Sequence, residues 1–339
     1  MDNSKIPAIS VLIPIYNGEK FLKKCLGSIL NQTFTDFEVV FIDDGCTDQS
    51  EEIIRSYSDA RIQYYKNVQN RGIIYTLNRG IGLCRGHYIA RMDCDDMMLE
   101  TRLELQKRFL DEHLDHILVA SHFQKIDQFD ENLKTFGYPA TSSELIQWKL
   151  LSGNFICHPT VMFRKSMLPE NPYDELYQHA EDYALWLKLS KIGKINILSE
   201  VLLKYRIHSN SVSSTKSKTQ VFNANLALGD HLKKFYHYEY QPGELAPIST
   251  PQEAELLMRD AATLSYFVFL NPLNSEFKMF SGFPQRLTAL SFLFRRMVLI
   301  LILNKNGLGF NVLLVLGFIF SCLPFSTRLV SGPKQKSIQ

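Results

Sequence analysis

The sequence predicts an α/β fold: a doubly wound, mostly parallel sheet with flanking helices, followed by a helical extension and a membrane-associating C-terminal segment. Three observations carry that expectation. Short apolar, β-branched runs alternate with amphipathic segments through the first hundred residues, the pattern of a parallel sheet with right-handed crossovers. The predicted strands end in polar, mostly acidic residues. Finally, an acidic body gives way to a basic, apolar tail.

ISVLIPI (9–15) is continuous, apolar and β-branched, as a strand buried on both faces should be. FLKKCLGSILNQT then places Phe21, Leu22, Cys25, Leu26 and Ile29 at helical spacing. FEVVFIDDG reads as a second buried strand, SEEIIRSY as a helix, RIQYYKN as a third strand, IIYTLNRGIGLC as a helix and GHYIARMD as a fourth strand. Beyond this the pattern is mixed. ILVASHFQKID reads as a strand, SSELIQWKLLSG as a short helix, HPTVMFRKSML as a strand entering a turn, AEDYALWLKLSKIG as an amphipathic helix and INILSEVLLKYRIH as extended chain. SNSVSSTKSKTQ (209–220) is polar and rich in Ser, Thr and Lys, the clearest boundary in the chain. The expected division is 1–215, 216–275 and 276–339.

The 339 residues suit about two domains, and 45% hydrophobic with 21% charged residues fits a folded chain. The net charge of +2 hides an asymmetry. After Glu276 there is no Asp or Glu, while Lys278, Arg286, Arg295, Arg296, Lys305, Arg328, Lys334 and Lys336 are basic. Removing those from the 37 Lys and Arg leaves 29 against 35 acidic residues. A net-acidic body without a basic aromatic patch argues against nucleic-acid binding. The six cysteines are scattered without a CxxC pair, so neither a zinc site nor a disulfide framework is expected. The N-terminal apolar run is too short, and too soon broken by Pro14, for a secretory signal, so the expectation is a chain that starts in the cytoplasm.

In an open sheet of this kind ligands sit beyond the carboxyl ends of the strands. Those ends carry Pro14, Tyr16 and Asn17, then Asp43 and Asp44, then Asn67, then Asp93, Asp95 and Asp96. The last group lies in RMDCDDM, where like charges need a compensating cation or donor. The loop after the first strand, PIYNGEKFL, has one glycine, neither GxGxxG nor GxxxxGK[ST], and cannot wrap a pyrophosphate in backbone amides. A divalent cation held by Asp93 and Asp95 is the natural substitute, because Mg²⁺ or Mn²⁺ accepts one or two carboxylates together with phosphate oxygens.

Together PIYNGEKFL, DDGCTDQS, NRGI, MDCDD, HPTVMFRKSML, EDYALWLKLS and YRIHSNSVS resemble, in order and over residues 9 to about 213, the family 2 glycosyltransferases of the GT-A fold, which build bacterial surface polysaccharides among other products. The resemblance implies an inverting transferase that moves a sugar from a UDP-linked nucleotide sugar to a glycan or lipid-linked acceptor. Pro14, Tyr16, Asn17, Asp43, Asp44, Asn70, Arg71, Gly72 and Asp93 match donor-contacting positions. Asp95 and Asp93 match the DxD metal motif, with His208 approaching diphosphate or metal. Asp182 matches the catalytic base, and Glu181 is placed to share its role or hold the acceptor. Cys46 and Cys94 depart from the family, which usually has Ser at the first and Ala or Ser at the second.

Two other readings fit less well. A nucleotidyltransferase would show a glycine-rich basic loop after the first strand, and a transferase-like scaffold at the membrane would have lost a metal or base carboxylate. In the tail, no charge interrupts 306–327, yet Gly307, Gly309, Gly317 and Pro324 weaken it as one helix. The expectation is an interfacial or re-entrant anchor on the inner leaflet, reinforced by attraction to anionic lipid, with the enzyme peripheral or monotopic on the cytoplasmic face of the inner membrane.

Overall fold

The computed structural model describes residues 6–137, 142–151, 153–208 and 217–236. All fall within the first of two units, Met1–Glu244. The expected segment 276–339 and its membrane anchor lie outside the described residues. Among those residues no helix is long and apolar enough to cross a membrane.

The chain alternates β1 (Ile9–Ile15), α1 (Glu19–Leu30), β2 (Phe37–Asp43), α2 (Ser50–Arg55), β3 (Ile62–Lys66), α3 (Ile73–Leu83) and β4 (Tyr88–Arg91). It continues through β5 (Met97–Met98), α4 (Arg102–Glu112), β6 (His116–Ile126), β7 (Asn132–Phe136), α5 (Ser143–Leu150), β8 (Met162–Arg164), α6 (Glu181–Leu189), β9 (Lys194–Arg206) and α7 (Ser217–Tyr236). Every residue of β1, β2 and β4 is buried, which is why these strands read as apolar runs without alternation.

The sheet order is β3-β2-β1-β4-β8-β6-β9-β5, with β7 on the free part of β6. The strands β3, β2, β1 and β4 are parallel, as predicted. Beyond them β6 and β9 also pair in parallel, but the sheet is mixed. β8 runs antiparallel to both β4 and β6, β7 is antiparallel to β6, and β5 is antiparallel to β9. A short turn joins β6 to β7, and parallel pairing would require a crossover too long for it.

Two apolar layers cover the sheet. On one face Ile9, Val11, Ile13 and Ile15 pack with Leu22, Cys25, Leu26 and Ile29 of α1, Ile54 of α2 and Leu103 of α4. On the other, Leu12, Val40 and Ile42 meet Leu77 of α3 and Trp186 of α6. Helix α7 shares this second layer through Ala227, Leu228 and Leu232, so the helix just past the predicted boundary packs on the same core as the sheet. Cys25, Cys46, Cys84, Cys94 and Cys157 are all free thiols.

Candidate functional site

The parallel register aligns the strand ends. Ile15 lies level with Asp43, and Asp43 with Lys66, so the loops leaving β1, β2 and β3 share one edge of the sheet. Backbone contacts and short side chains lock them together. Asn17, at φ 53°, accepts from Thr47 N at 2.9 Å and donates its own N–H to Cys46 Sγ at 3.2 Å. Glu19 N donates to Asp48 Oδ2 at 2.9 Å while Gln49 N donates to Glu19 Oε2 at 2.9 Å, clasping the first turns of α1 and α2. Gly45 has φ +83°, and a Cβ there would meet Asn70 N at 2.8 Å, so the DDG turn and the loop before α3 touch in a way only glycine permits. Tyr16 remains 56% exposed above these loops and can offer a ring face to a base.

Asp43 and Asp44, expected at the donor, are buried and already bonded to protein. Asp43 accepts from Cys46 N at 2.6 Å and from the Tyr64 hydroxyl, with Lys66 Nζ 3.8 Å away. Asp44 accepts from Asn67 Nδ2 at 2.7 Å, Arg71 N at 2.8 Å and Gly72 N at 2.9 Å, which shapes the segment carrying Asn70. Asn70 Oδ1 in turn accepts from Gly72 N at 3.2 Å, and the Arg71 guanidinium lies 4.4 Å from the Tyr75 ring centre. Pro14 sits one residue inside the end of β1.

Past β4, Asp93, Asp95 and Asp96 bring carboxylate oxygens within 4.8 Å of one another. Sequence reasoning expected a cation there, and the fold supplies two arginines as well as room for an ion. Arg91, 5% exposed at its side chain, grips Asp93 through Nη2–Oδ1 at 2.6 Å and Nη1–Oδ2 at 2.8 Å. Arg206 donates its backbone N–H to Asp96 Oδ1 at 2.8 Å and its Nε to the Asp95 carbonyl at 2.7 Å. His208 places Nε2 2.9 Å from Asp95 Oδ2, while the atoms that lie within 4.8 Å of one another are those of Asp93, Asp95 and Asp96. Asp96, buried between them, has a carboxylate oxygen with no hydrogen-bond partner among the described residues. Burial, with Asp95 and Asp93 beside it, pushes its carboxyl well above the ordinary value.

Arg91 also acts electrostatically on a second carboxylate pair, Glu181 and Asp182, in the first turn of α6. Asp182 Oδ2 accepts from Asn154 Nδ2 at 2.8 Å and Oδ1 from Tyr183 N at 2.6 Å. Glu181 Oε2 is buried with no such partner among the described residues. Burial, and then the neighbouring Asp182 charge, lift Glu181 to about 7. Burial also raises Asp182, while Asn154, the Tyr183 amide and Arg91 hold it down. Tyr173 feels Arg91, Asp182, Glu181 and Asp93 alike, so these groups share one electrostatic neighbourhood. His158 accepts a different role. Its Nε2 lies 2.6 Å from the Tyr173 hydroxyl and its ring stands edge-on to Trp186, while burial and then Arg91 keep it neutral.

Arg91, Asn154, Tyr173 and Arg206 are the residues that sequence reasoning did not assign to the site. Arg91 had a local signal, a basic residue two positions before the first aspartate. The others depend on pairings across the sheet.

A model of the family described as Glycosyl transferase family 2 matches residues 10–171. The chain is 32% identical over 237 residues to an uncharacterized glycosyltransferase of Methanocaldococcus jannaschii, covering 68% of this chain and 82% of that protein. It is 32% identical over 244 residues to the O-antigen biosynthesis glycosyltransferase WbnJ of Escherichia coli, covering 67% and 89%. Among solved structures, S. aureus TarS 1-349 in complex with UDP-GlcNAc shares the fold at a TM-score of 0.56 and 20% identity, over 84% of this chain and 80% of that one. With a family model over the sheet and relatives of this identity and coverage, the chain is an enzyme that belongs to family 2 of the glycosyltransferases.

Proposed function

We propose that this chain is an inverting, divalent-cation-dependent glycosyltransferase that moves a sugar from a UDP-linked donor to a hydroxyl of a glycan or lipid-linked acceptor during surface polysaccharide assembly. The observation that carries the reading is that one buried arginine, Arg91, grips Asp93 of the Asp93, Asp95 and Asp96 group and also acts electrostatically on Glu181 and Asp182. The relatives named for O-antigen biosynthesis and, in Escherichia coli, for chondroitin synthesis support the polysaccharide context.

The donor set suits a hard divalent ion. It is made of carboxylate oxygens, and one buried oxygen of Asp96 has no partner among the described residues. Asp95 and Asp93, with Asp96 or His208, would hold it. When bound, such an ion neutralises the diphosphate as it departs. The nucleotide lies against Tyr16, Asn17 and the 67–72 segment, with Asp43 and Asp44 setting the shape of that floor. Asp182 takes the proton of the acceptor hydroxyl as the sugar is transferred. Its carboxylate is oriented by Asn154 and the Tyr183 amide, and each oxygen keeps a lone pair for that proton. Glu181 holds a second acceptor hydroxyl.

Calorimetry with UDP, GDP and dTDP sugars, with and without Mn²⁺, tests this directly. UDP sugars should bind only with the ion, and Asp95→Ala should abolish that dependence. Chelator-insensitive donor binding in both proteins would remove the metal from the mechanism.

A further inference from the structure

We infer that Asp130, in the turn between β6 and β7, is a positioning residue for the acidic loop 93–96 and acts on it through Arg206. This rests on the divalent-cation reading given above.

The side chain of Arg206 is fully buried, so its charge needs a partner. Nη1 meets Asp130 Oδ1 at 2.5 Å and the Asp127 carbonyl at 2.9 Å. The guanidinium carbon lies 4.5 Å from the centre of the Phe21 ring, which fixes its plane against α1. From that position Nε reaches the Asp95 carbonyl and the backbone N–H reaches Asp96 Oδ1. Two residues further on, His208 stands beside Asp95, with its ring centre 5.3 Å from that of Phe21. One arginine therefore ties together the main chain and a carboxylate of the acidic group, and shares the Phe21 ring with His208.

Asp130 is held in place for this. It adopts φ 75°, a left-handed conformation unusual for a residue with a Cβ. Phe129 N and Glu131 N both donate to Asp127 Oδ1, at 2.8 and 3.0 Å, closing the turn around it. Ile207 N donates to Ile126 O at 2.9 Å, so the turn and the residue after Arg206 move together. The other Asp130 oxygen is paired with Lys24 of α1. Among the described residues Asp130 makes no hydrogen bond or ion pair with the three clustered aspartates, and its influence passes through the orientation of Arg206. Residues that orient metal ligands in this indirect way typically change metal affinity by about 10- to 100-fold when lost.

The test uses full-length protein and Mn²⁺ alone, with binding read from the loss of the free-ion electron paramagnetic resonance signal and folding from circular dichroism. Asp95→Asn is measured first and should weaken binding strongly. Asp130→Asn should weaken it about tenfold, and Asp130→Glu should recover most of the loss. Asp127→Ala, which loosens the turn but leaves both charges, should weaken it severalfold and stands in if Asp130→Asn does not fold. If Asp95→Asn loses the ion while Asp130→Asn binds as wild type, or the Glu variant recovers nothing, the role of Asp130 is wrong and the cation site stands. If Asp95→Asn binds Mn²⁺ normally, the cation site itself is wrong and this inference falls with it.

Discussion

Arg91 and Asp93 form a two-point ion pair at the end of β4, with Nη2–Oδ1 at 2.6 Å and Nη1–Oδ2 at 2.8 Å. Behind it, the Arg91 carbonyl accepts from the buried Arg102 Nη2 at 2.9 Å, so the main chain is held as firmly as the side chain. A lysine keeps the charge but cannot reproduce the fork. Arg91→Lys should therefore lower the unfolding free energy by about 2 kcal/mol and kcat/KM by at least about tenfold. Urea unfolding and steady-state rates measure both. A wild-type kcat/KM in the lysine variant would show that charge alone suffices.

The sequence revealed the strands and strand ends of the first half of the sheet well, because their signals are local. The predicted run ISVLIPI is β1 to the residue, and the helical spacing of Phe21, Leu22, Cys25, Leu26 and Ile29 matches the buried face of α1. The strand ends that deliver Asn17, Asp43 and Asp93 follow from that alternation. The second half was less readable. Strand β8 is only Met162–Arg164, too short for a period, and its antiparallel place between β4 and β6 depends on residues far apart in the chain. The bonded partners of Arg206, from Asp130 back to Asp95, lie 76 to 111 positions away, and no spacing rule links them. Asp43 and Asp44 show the limit of reading residue type alone. Carboxylates suited to ribose or base instead spend much of their bonding capacity on the loops around them.

Cys46 replaces an expected serine, and the thiol takes over the bonds a hydroxyl would make. Its sulfur accepts from Asn17 N at 3.2 Å and faces the Ile15 carbonyl at 3.7 Å. Burial, reinforced by Asp43, pushes it up to about 12, and burial also raises Cys25, Cys84, Cys94 and Cys157. Since the thiolate is the reactive form, these five should alkylate at least about 100-fold more slowly at pH 8 in the native protein than in urea. Peptide mass spectrometry after iodoacetamide resolves each position. Rapid native labelling of Cys46 would mean that the loop pairing Asn17 with Thr47 opens readily.

The basic, apolar segment 276–339 predicts attachment to anionic membranes. Full-length protein should sediment with vesicles containing phosphatidylglycerol and be released by high salt in part, since apolar burial persists when charge is screened. A chain ending near residue 275 should stay in the supernatant. Equal sedimentation of the two forms would place the membrane contact elsewhere.

Glu181 and Asp182 should separate in their response to pH. Burial raises both carboxyls and Arg91 opposes both rises; Asp182 is held down further by two donors, whereas Glu181 also carries the repulsion of Asp182 and reaches about 7. With Asp182 as the proposed base, Asp182→Asn should reduce kcat by about 10² to 10⁴ while donor affinity holds. Glu181→Gln should keep a substantial kcat and raise the acceptor KM. For stability the sign is fixed by the direction of the shift. A carboxyl raised from 4.5 to about 7 favours the folded state when protonated, and that advantage disappears as pH climbs through 7. Glu181→Gln should thus stabilise the protein by about 2 kcal/mol at pH 8 and by little at pH 5. Urea unfolding at the two pH values decides it. Equal effects at both would mean that Glu181 is ionised throughout, and a lost kcat in the Gln variant with a retained one in Asp182→Asn would exchange the two roles.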